Sequence, residues 1–213
     1  MLYNSKICFY TIILFFSFIL NASAQKEKRV IKLGFNYGLG TQQNFPFNAN
    51  DYNYDTQSFK VQINYLIKSK RKWNFELLFE PGIYISKHQL LNKFYVQEVN
   101  HENFLELREK FTKKKTIHEY TIGVGFISRY KLLEKLSTYA LFSVGPTLLS
   151  KSTERLDKGF AFSDVLAFGL SYTAPYAIFD FRLGVRHTSN GGLNSKNSGH
   201  NSALMELGFL FLL

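Results

Sequence analysis

The stretch Ala177-Ile178-Phe179-Asp180-Phe181-Arg182-Leu183-Gly184-Val185-Arg186-His187-Thr188-Ser189 alternates apolar and polar residues along most of its length. Side chains of a β-strand point to opposite faces in turn. Ala177, Phe179, Phe181, Leu183 and Val185 therefore share one face, and Ile178, Asp180, Arg182, Gly184 and Arg186 the other. His187 and Ser189 continue the apolar face. In a soluble protein that face would point into a core. If it faces lipid instead, a base and a hydroxyl are presented to the membrane, which suits chemistry on a lipid.

Working outward, the same period of two recurs about eight times along the chain. Val30 to Gly40 sets Ile31, Leu33, Phe35, Tyr37 and Leu39 against Lys32, Gly34, Asn36 and Gly38. Gln57 to Lys68 sets Phe59, Val61, Ile63, Tyr65 and Ile67 against Lys60, Gln62 and Asn64. Lys72 to Ser86 and Thr116 to Lys131 follow the same rule, while Leu136 to Ser150 and Gly159 to Thr173 alternate less cleanly. In the last run, Asn201 to Leu213, the apolar face is Ala203, Met205, Leu207, Phe209, Phe211 and Leu213. The joints at Ser69–Arg71, around Leu133 and at Ala174-Pro175 are short, and the others are longer and polar. Short turns at one end and long loops at the other predict an all-β fold, an eight-stranded antiparallel transmembrane β-barrel with both termini periplasmic. Charged and small residues on the opposite faces fit a narrow lumen filled by side chains. Asp180, Arg182, Arg186, Glu76 and Glu80 read as an ion-pair network there, and the parity of the last run places Glu206 in the lumen too.

The N-terminus reads as a secretory signal peptide. Lys6 supplies positive charge, Ile7 to Leu20 is apolar, and Ala22-Ser23-Ala24 is a small-residue cleavage site, giving a signal at 1–24 and one barrel domain at 25–213. Cys8 leaves with the signal, so the mature chain carries neither disulfide nor thiol nucleophile. The aromatic fraction is 17 %, with 22 Phe and 13 Tyr, yet the mean hydropathy is only −0.12. Apolar residues at alternate positions, rather than in long runs, account for that pairing. The net charge of +10 suits solubility or an acidic partner. For an exported barrel that partner is phosphorylated lipid in the outer membrane, not nucleic acid. His88, His101, His118 and His200 lack metal-ligand spacing, and no phosphate loop is present, so no cofactor or metal is implied. In the long segment from about His88 to Lys115, Phe104, Leu107 and Phe111 have roughly helical spacing, followed by Lys113, Lys114 and Lys115. The segment reads as a solvated loop or strand extension, or else as an amphipathic element touching lipid head groups.

An ester hydrolase needs a nucleophile, a base within reach and donors for the developing oxyanion. His187 and Ser189 share a face with Cα atoms roughly 6.5 Å apart. Asn190 and the glycines at 191 and 192 offer an amide and unobstructed backbone N–H groups. With this His-x-Ser-Asn-x-Gly motif at the end of the penultimate strand, the chain resembles the lipid A 3-O-deacylases, the PagL-type outer-membrane acyloxyacyl hydrolases. The resemblance implies an eight-stranded barrel that removes the ester-linked 3-hydroxyacyl chain from the lipid A of lipopolysaccharide. It uses a Ser-His-Glu triad on its outer face, toward the outer leaflet. It assigns His187 as base, Ser189 as nucleophile, and Asn190 and Gly192 to the oxyanion positions.

The third triad position departs from the family, because twelve residues after the serine stands Asn201 in place of Glu. A carboxamide oxygen can still accept from an imidazole and fix its orientation, though it brings no charge. His200 or a loop acid are other groups able to assist. Against the hydrolase stand a non-catalytic barrel with a structural or adhesion role, and a narrow pore, for which eight strands leave too little lumen.

Overall fold

A computed structural model describes residues 30–100, 102–194 and 196–212; the expected signal segment, His101 and Leu213 lie outside the described residues. The eight strands are β1 (Ile31–Thr41), β2 (Tyr52–Lys70), β3 (Trp73–Leu90), β4 (Lys115–Lys131), β5 (Leu136–Leu149), β6 (Gly159–Thr173), β7 (Ile178–Ser189) and β8 (His200–Leu212). Each pairs antiparallel with its sequence neighbours, and β1 pairs with β8 to close the barrel, with Leu33 opposite Phe211 and Tyr37 opposite Leu207. Closure leaves no strand edge, as a backbone crossing hydrocarbon requires. The three short turns lie at one rim and the four longer connections at the other.

The outward rows are apolar. Phe35, Phe59, Phe79, Val124, Phe142, Phe168, Leu183 and Leu207 are all exposed, as is expected only where lipid rather than water covers them. The lumen is the inverse. Near the turn rim, Glu76 binds Lys32 at 2.5 Å and Arg129 at 3.1 Å. In the middle, Lys60 bridges Glu80 at 3.0 Å and Glu206 at 2.5 Å, and Arg182 joins the same two carboxylates. Toward the loop rim, Arg186 meets Glu119 at 2.7 Å. The lumen network read from parity is therefore present, with Lys32, Lys60, Glu119 and Arg129 as further members.

β2 and β3 run longer than the sequence alternation suggested, by five residues at the start of β2 and four at the end of β3. The cause is a change of polarity at constant parity. From Tyr52 to Gln57 the outward residues are Asn53, Asp55 and Gln57, while Tyr52 and Tyr54 turn inward. Lys87 and Gln89 face outward while Leu90 is buried. Above the lipid, water is outside and an apolar core inside, so the hydrophobic phase of the strand inverts where it leaves the membrane. Tyr52, Tyr54, Leu90, Val96, Phe111 and Ile117 form that cap core.

The long β3–β4 connection holds two 3-10 turns (Lys93–Tyr95 and Glu98–Asn100) and the helix α1 (Phe104–Thr112). Glu106 in its first turn and Lys110 in its last complement the helix dipole. Phe111 is buried in the cap, with Phe104 and Leu107 packed against it. The apolar stripe thus packs onto protein. This corrects the expectation of an element resting on lipid head groups, because the inverted upper strands supply the apolar surface that the stripe covers.

Candidate active site

The site sits where β7 meets β8 at the loop rim. His187 pairs with Asn201, and Thr188 with His200. His187 and Ser189 point outward, while Arg186 and Thr188 are buried on the lumen side. The His187 Nδ1 atom lies 2.7 Å from Asn201 Oδ1. That contact assigns the proton to Nδ1, which donates to the carboxamide oxygen and leaves Nε2 with its lone pair. Ser189, half-buried one turn of the pleat further on, makes no hydrogen bond to His187 among the described residues.

The loop from 190 to 199 is organised by Asn190, which is fully buried. Its backbone N–H donates to Asn197 Oδ1 at 2.8 Å, and its side-chain amide donates to the Lys196 carbonyl at 2.8 Å. Its Oδ1 accepts from the Gly192 N–H at 3.0 Å. The two residues expected at the oxyanion position are thus bonded to each other. Gly191 (φ 63°), Gly192 (φ 80°) and Gly199 (φ 66°) take the left-handed conformation that this tight path needs.

Two other connections hold the loop down. Leu156 and Asn197 form an isolated bridge, and the Arg155 carbonyl accepts from the backbone N–H of Ser198 at 3.0 Å. Tyr95 donates its hydroxyl to Ser198 Oγ at 3.2 Å, and Lys196 lies over the Phe111 ring at 5.0 Å. Sequence reading missed this support, and it missed Gly199. A Cβ at Gly199 would sit 2.7 Å from the Thr188 carbonyl oxygen, 3.1 Å from His187 Cε1 and 3.4 Å from Ser189 Cβ. The glycine leaves room for the two side chains; its neighbourhood to them appears only once β7 and β8 are paired.

The structure separates His200 from the site. It faces the lumen, fully buried, stacked on Tyr54 at 4.1 Å and 2.9 Å from Thr153 Oγ1 through Nε2. Burial pushes its ring down to about 3. Glu154, the nearby loop acid, lies 2.9 Å from His88 Nε2. Burial raises that carboxyl, and the hydrogen bond and charge of His88 more than offset it, holding it below the usual carboxylate range. Neither group reaches the outward face of β7. On the other side of His187 the cross-strand partner is Asp164 of β6, also on the outward row, and Ser189 stands opposite Phe162.

The family model of lipid A 3-O-deacylase (PagL) matches residues 35–209, from within β1 to within β8. The chain belongs to this family. The crystal structure of the outer membrane enzyme PagL superposes with a TM-score of 0.56 at 13 % identity, covering 82 % of this chain and 97 % of that one. Ail, the attachment invasion locus protein of Yersinia pestis, aligns at 12 % identity and a TM-score of 0.46, over 88 % of this chain and all of its own. Neisserial surface protein A aligns at 12 % and 0.45, over 87 % and 97 %. Comparison with curated protein sequences finds no match. Within the lipid A 3-O-deacylase family the chain keeps the fold of a small outer-membrane barrel and carries Asn201 opposite His187.

Proposed function

We propose that this family member is an active outer-membrane esterase that removes an ester-linked 3-hydroxyacyl chain from lipid A. The observation that carries the reading is the 2.7 Å contact between His187 and Asn201 on the outward face, with Ser189 on the same face of the same strand. His187 Nε2 takes the proton from Ser189 as Oγ bonds to the ester carbonyl carbon and the carbonyl π pair moves to oxygen. Collapse of this intermediate breaks the ester C–O bond. The sugar alkoxide leaves with the proton that His187 returns, and water then hydrolyses the acyl-serine by the same route.

Asn190 and Gly192 are assigned to the oxyanion. Their mutual hydrogen bond must then open, or be shared, as the carbonyl enters. Cleavage after Ala24 and exposure of the long loops at the cell surface complete the reading, with the site in the outer leaflet and lipopolysaccharide as substrate. Lipopolysaccharide is incubated with the purified protein in detergent and the lipid A is weighed by mass spectrometry. Loss of one hydroxyacyl chain, abolished by Ser189→Ala and by His187→Ala in folded barrels, supports the enzyme. Unchanged lipid A supports the non-catalytic barrel instead.

A further inference from the structure

In the lumen the charges cancel, because five cations pair with five carboxylates. At the loop rim acids and bases also meet, as Glu98 with Arg108, Glu109 with Lys113 and Asp51 with Arg155. The turn rim is different. Lys68, Lys70, Arg71, Lys72, Lys131 and Lys135 are all exposed there, and Glu134 is the one acid in the three short turns. Six cations against one acid make half of the net charge of +10. Among the described residues none of the six has an ion-pair partner. Lys70 pairs with Trp73, so Arg71 and Lys72 form a two-residue hairpin turn, with Arg71 in the left-handed region at φ 55°. Such turns favour Asn-Gly or Asp-Gly, because glycine and asparagine take that conformation at least cost. Here both positions carry charge instead.

We propose that the turn rim is a docking surface for acidic phospholipid, its cations taking the phosphodiesters of lipids in the leaflet that the short turns face. The depth of the cations carries the inference. Trp73 and Tyr130 are cross-strand partners on the outward face, with ring centroids 4.9 Å apart, and Phe75 stacks beside Trp73. Aromatic side chains of this kind mark the head-group boundary of a membrane protein. Lys68 and Lys70 stand opposite Phe75 and Trp73, and Lys72 Nζ lies 5.9 Å from the Tyr130 ring. The Lys72 carbonyl accepts from the Lys131 N–H at 2.8 Å, which joins the two basic turns into one surface. Between Lys131 and Lys135 the leucines 132 and 133 are exposed, as suits a turn resting in head groups better than one standing in water. Lysine stems can lie along that apolar surface while their amines reach the phosphates, and a cluster of such cations draws acidic lipid in preference to neutral lipid. The surface stands on the barrel alone and is independent of the deacylase reading.

The chain carries its own reporter, because Trp73 is its single tryptophan and is exposed at this rim. The full barrel is reconstituted in phosphatidylcholine vesicles that contain, at the same mole fraction, either phosphatidylglycerol or phosphatidylcholine brominated on its acyl chains. Brominated phosphatidylglycerol should quench Trp73 as if enriched about threefold or more over the neutral lipid, and added salt should reduce the enrichment by screening. Arg71→Asn with Lys72→Gly gives the hairpin its favoured turn while removing two charges, so the barrel should fold and the enrichment fall by about half. Adding Lys68→Gln and Lys70→Gln should bring the two lipids to nearly equal quenching. Millimolar glycerol phosphate should leave the wild-type preference in place; its loss would assign the rim to a free anion and overturn the lipid. Equal quenching in the wild type, or an undiminished preference in the fourfold variant, would also overturn the proposal. None of these outcomes bears on the deacylase reading, since His187 and Ser189 lie at the opposite rim.

Discussion

His187 and Asn201 face each other across the β7–β8 ladder, with Nδ1 of the imidazole 2.7 Å from the carboxamide oxygen. The geometry suits the proposed base and orienting partner, with a neutral acceptor. A charge-assisted hydrogen bond is roughly twice as strong as a neutral one. Asn201→Glu is expected to raise kcat severalfold, and Asn201→Ala to lower it about tenfold, a change of about 1.4 kcal/mol in the barrier. Both are measured on lipid A against Ser189→Ala as zero. Equal rates for wild type and both variants would remove Asn201 from the site.

Gly199 separates two effects that glycine substitutions usually mix. Left-handed backbone costs an alanine about 1–2 kcal/mol. At Gly199 an added Cβ also meets His187 Cε1 at 3.1 Å, whereas at Gly159, with φ 110°, it meets nothing within 4 Å. Gly199→Ala should therefore lose most turnover, while Gly159→Ala loses a little stability and no turnover. Thermal unfolding and kcat, measured side by side, check this.

Acid should loosen the cap. An unfolded chain protonates His200 near the ordinary value of about 6.5. The folded ring, held down by burial, accepts a proton only near 3. The unfolded state therefore binds more protons in that window, and stability falls as the pH drops from about 6.5 toward 3. Glu154, with its carboxyl held low, acts in the same direction: its contribution is present above the ordinary carboxylate range and is lost as the pH falls through its folded value. Hydrogen-exchange protection, taken relative to the intrinsic rate at each pH, should fall in 150–158 and 190–199 between pH 7 and pH 4 more than in the membrane strands. His200→Phe, which can keep the stack on Tyr54, should reduce the difference; an unchanged response would exclude His200 as its source.

Arg182 joins Glu80 and Glu206 in the mid-lumen, and all three are buried. Removing one partner of a buried ionic cluster leaves uncompensated charge and typically costs about 3–5 kcal/mol. Arg182→Ala should lower the unfolding temperature markedly, and a second change, Glu206→Gln, should recover part of the loss. Heat-dependent gel mobility of the folded barrel reads both. No recovery in the double variant would mean that Arg182 contributes through packing instead.

The strand layout was legible because lipid outside and charge inside impose opposite chemistry on alternate residues of every crossing. The signal failed above the membrane, at Tyr52 to Gln57 and Lys87 to Leu90, where the same parity carries the reverse polarity. The motif at 187–192 was legible as local sequence. Its neighbours were not: Asp164 is 23 residues from His187 along the chain and directly opposite it in the sheet. An isolated acid in an apolar row was visible in β6, but only the register says what it faces. The bonds from Asn190 to Asn197, and from Arg155 to Ser198, depend on loop paths that no periodicity encodes.

The side chains of His187 and Ser189 leave the barrel sideways, into the layer that the outward rows occupy. On the proposed reading, a molecule reaching them travels within the leaflet and not through water, so its effective concentration is a mole fraction among lipids. Thinning the membrane's substrate with inert lipid would slow such an encounter, whereas diluting the whole suspension with buffer would not. Lipid composition around the barrel, and lateral diffusion through it, then set the supply to the site.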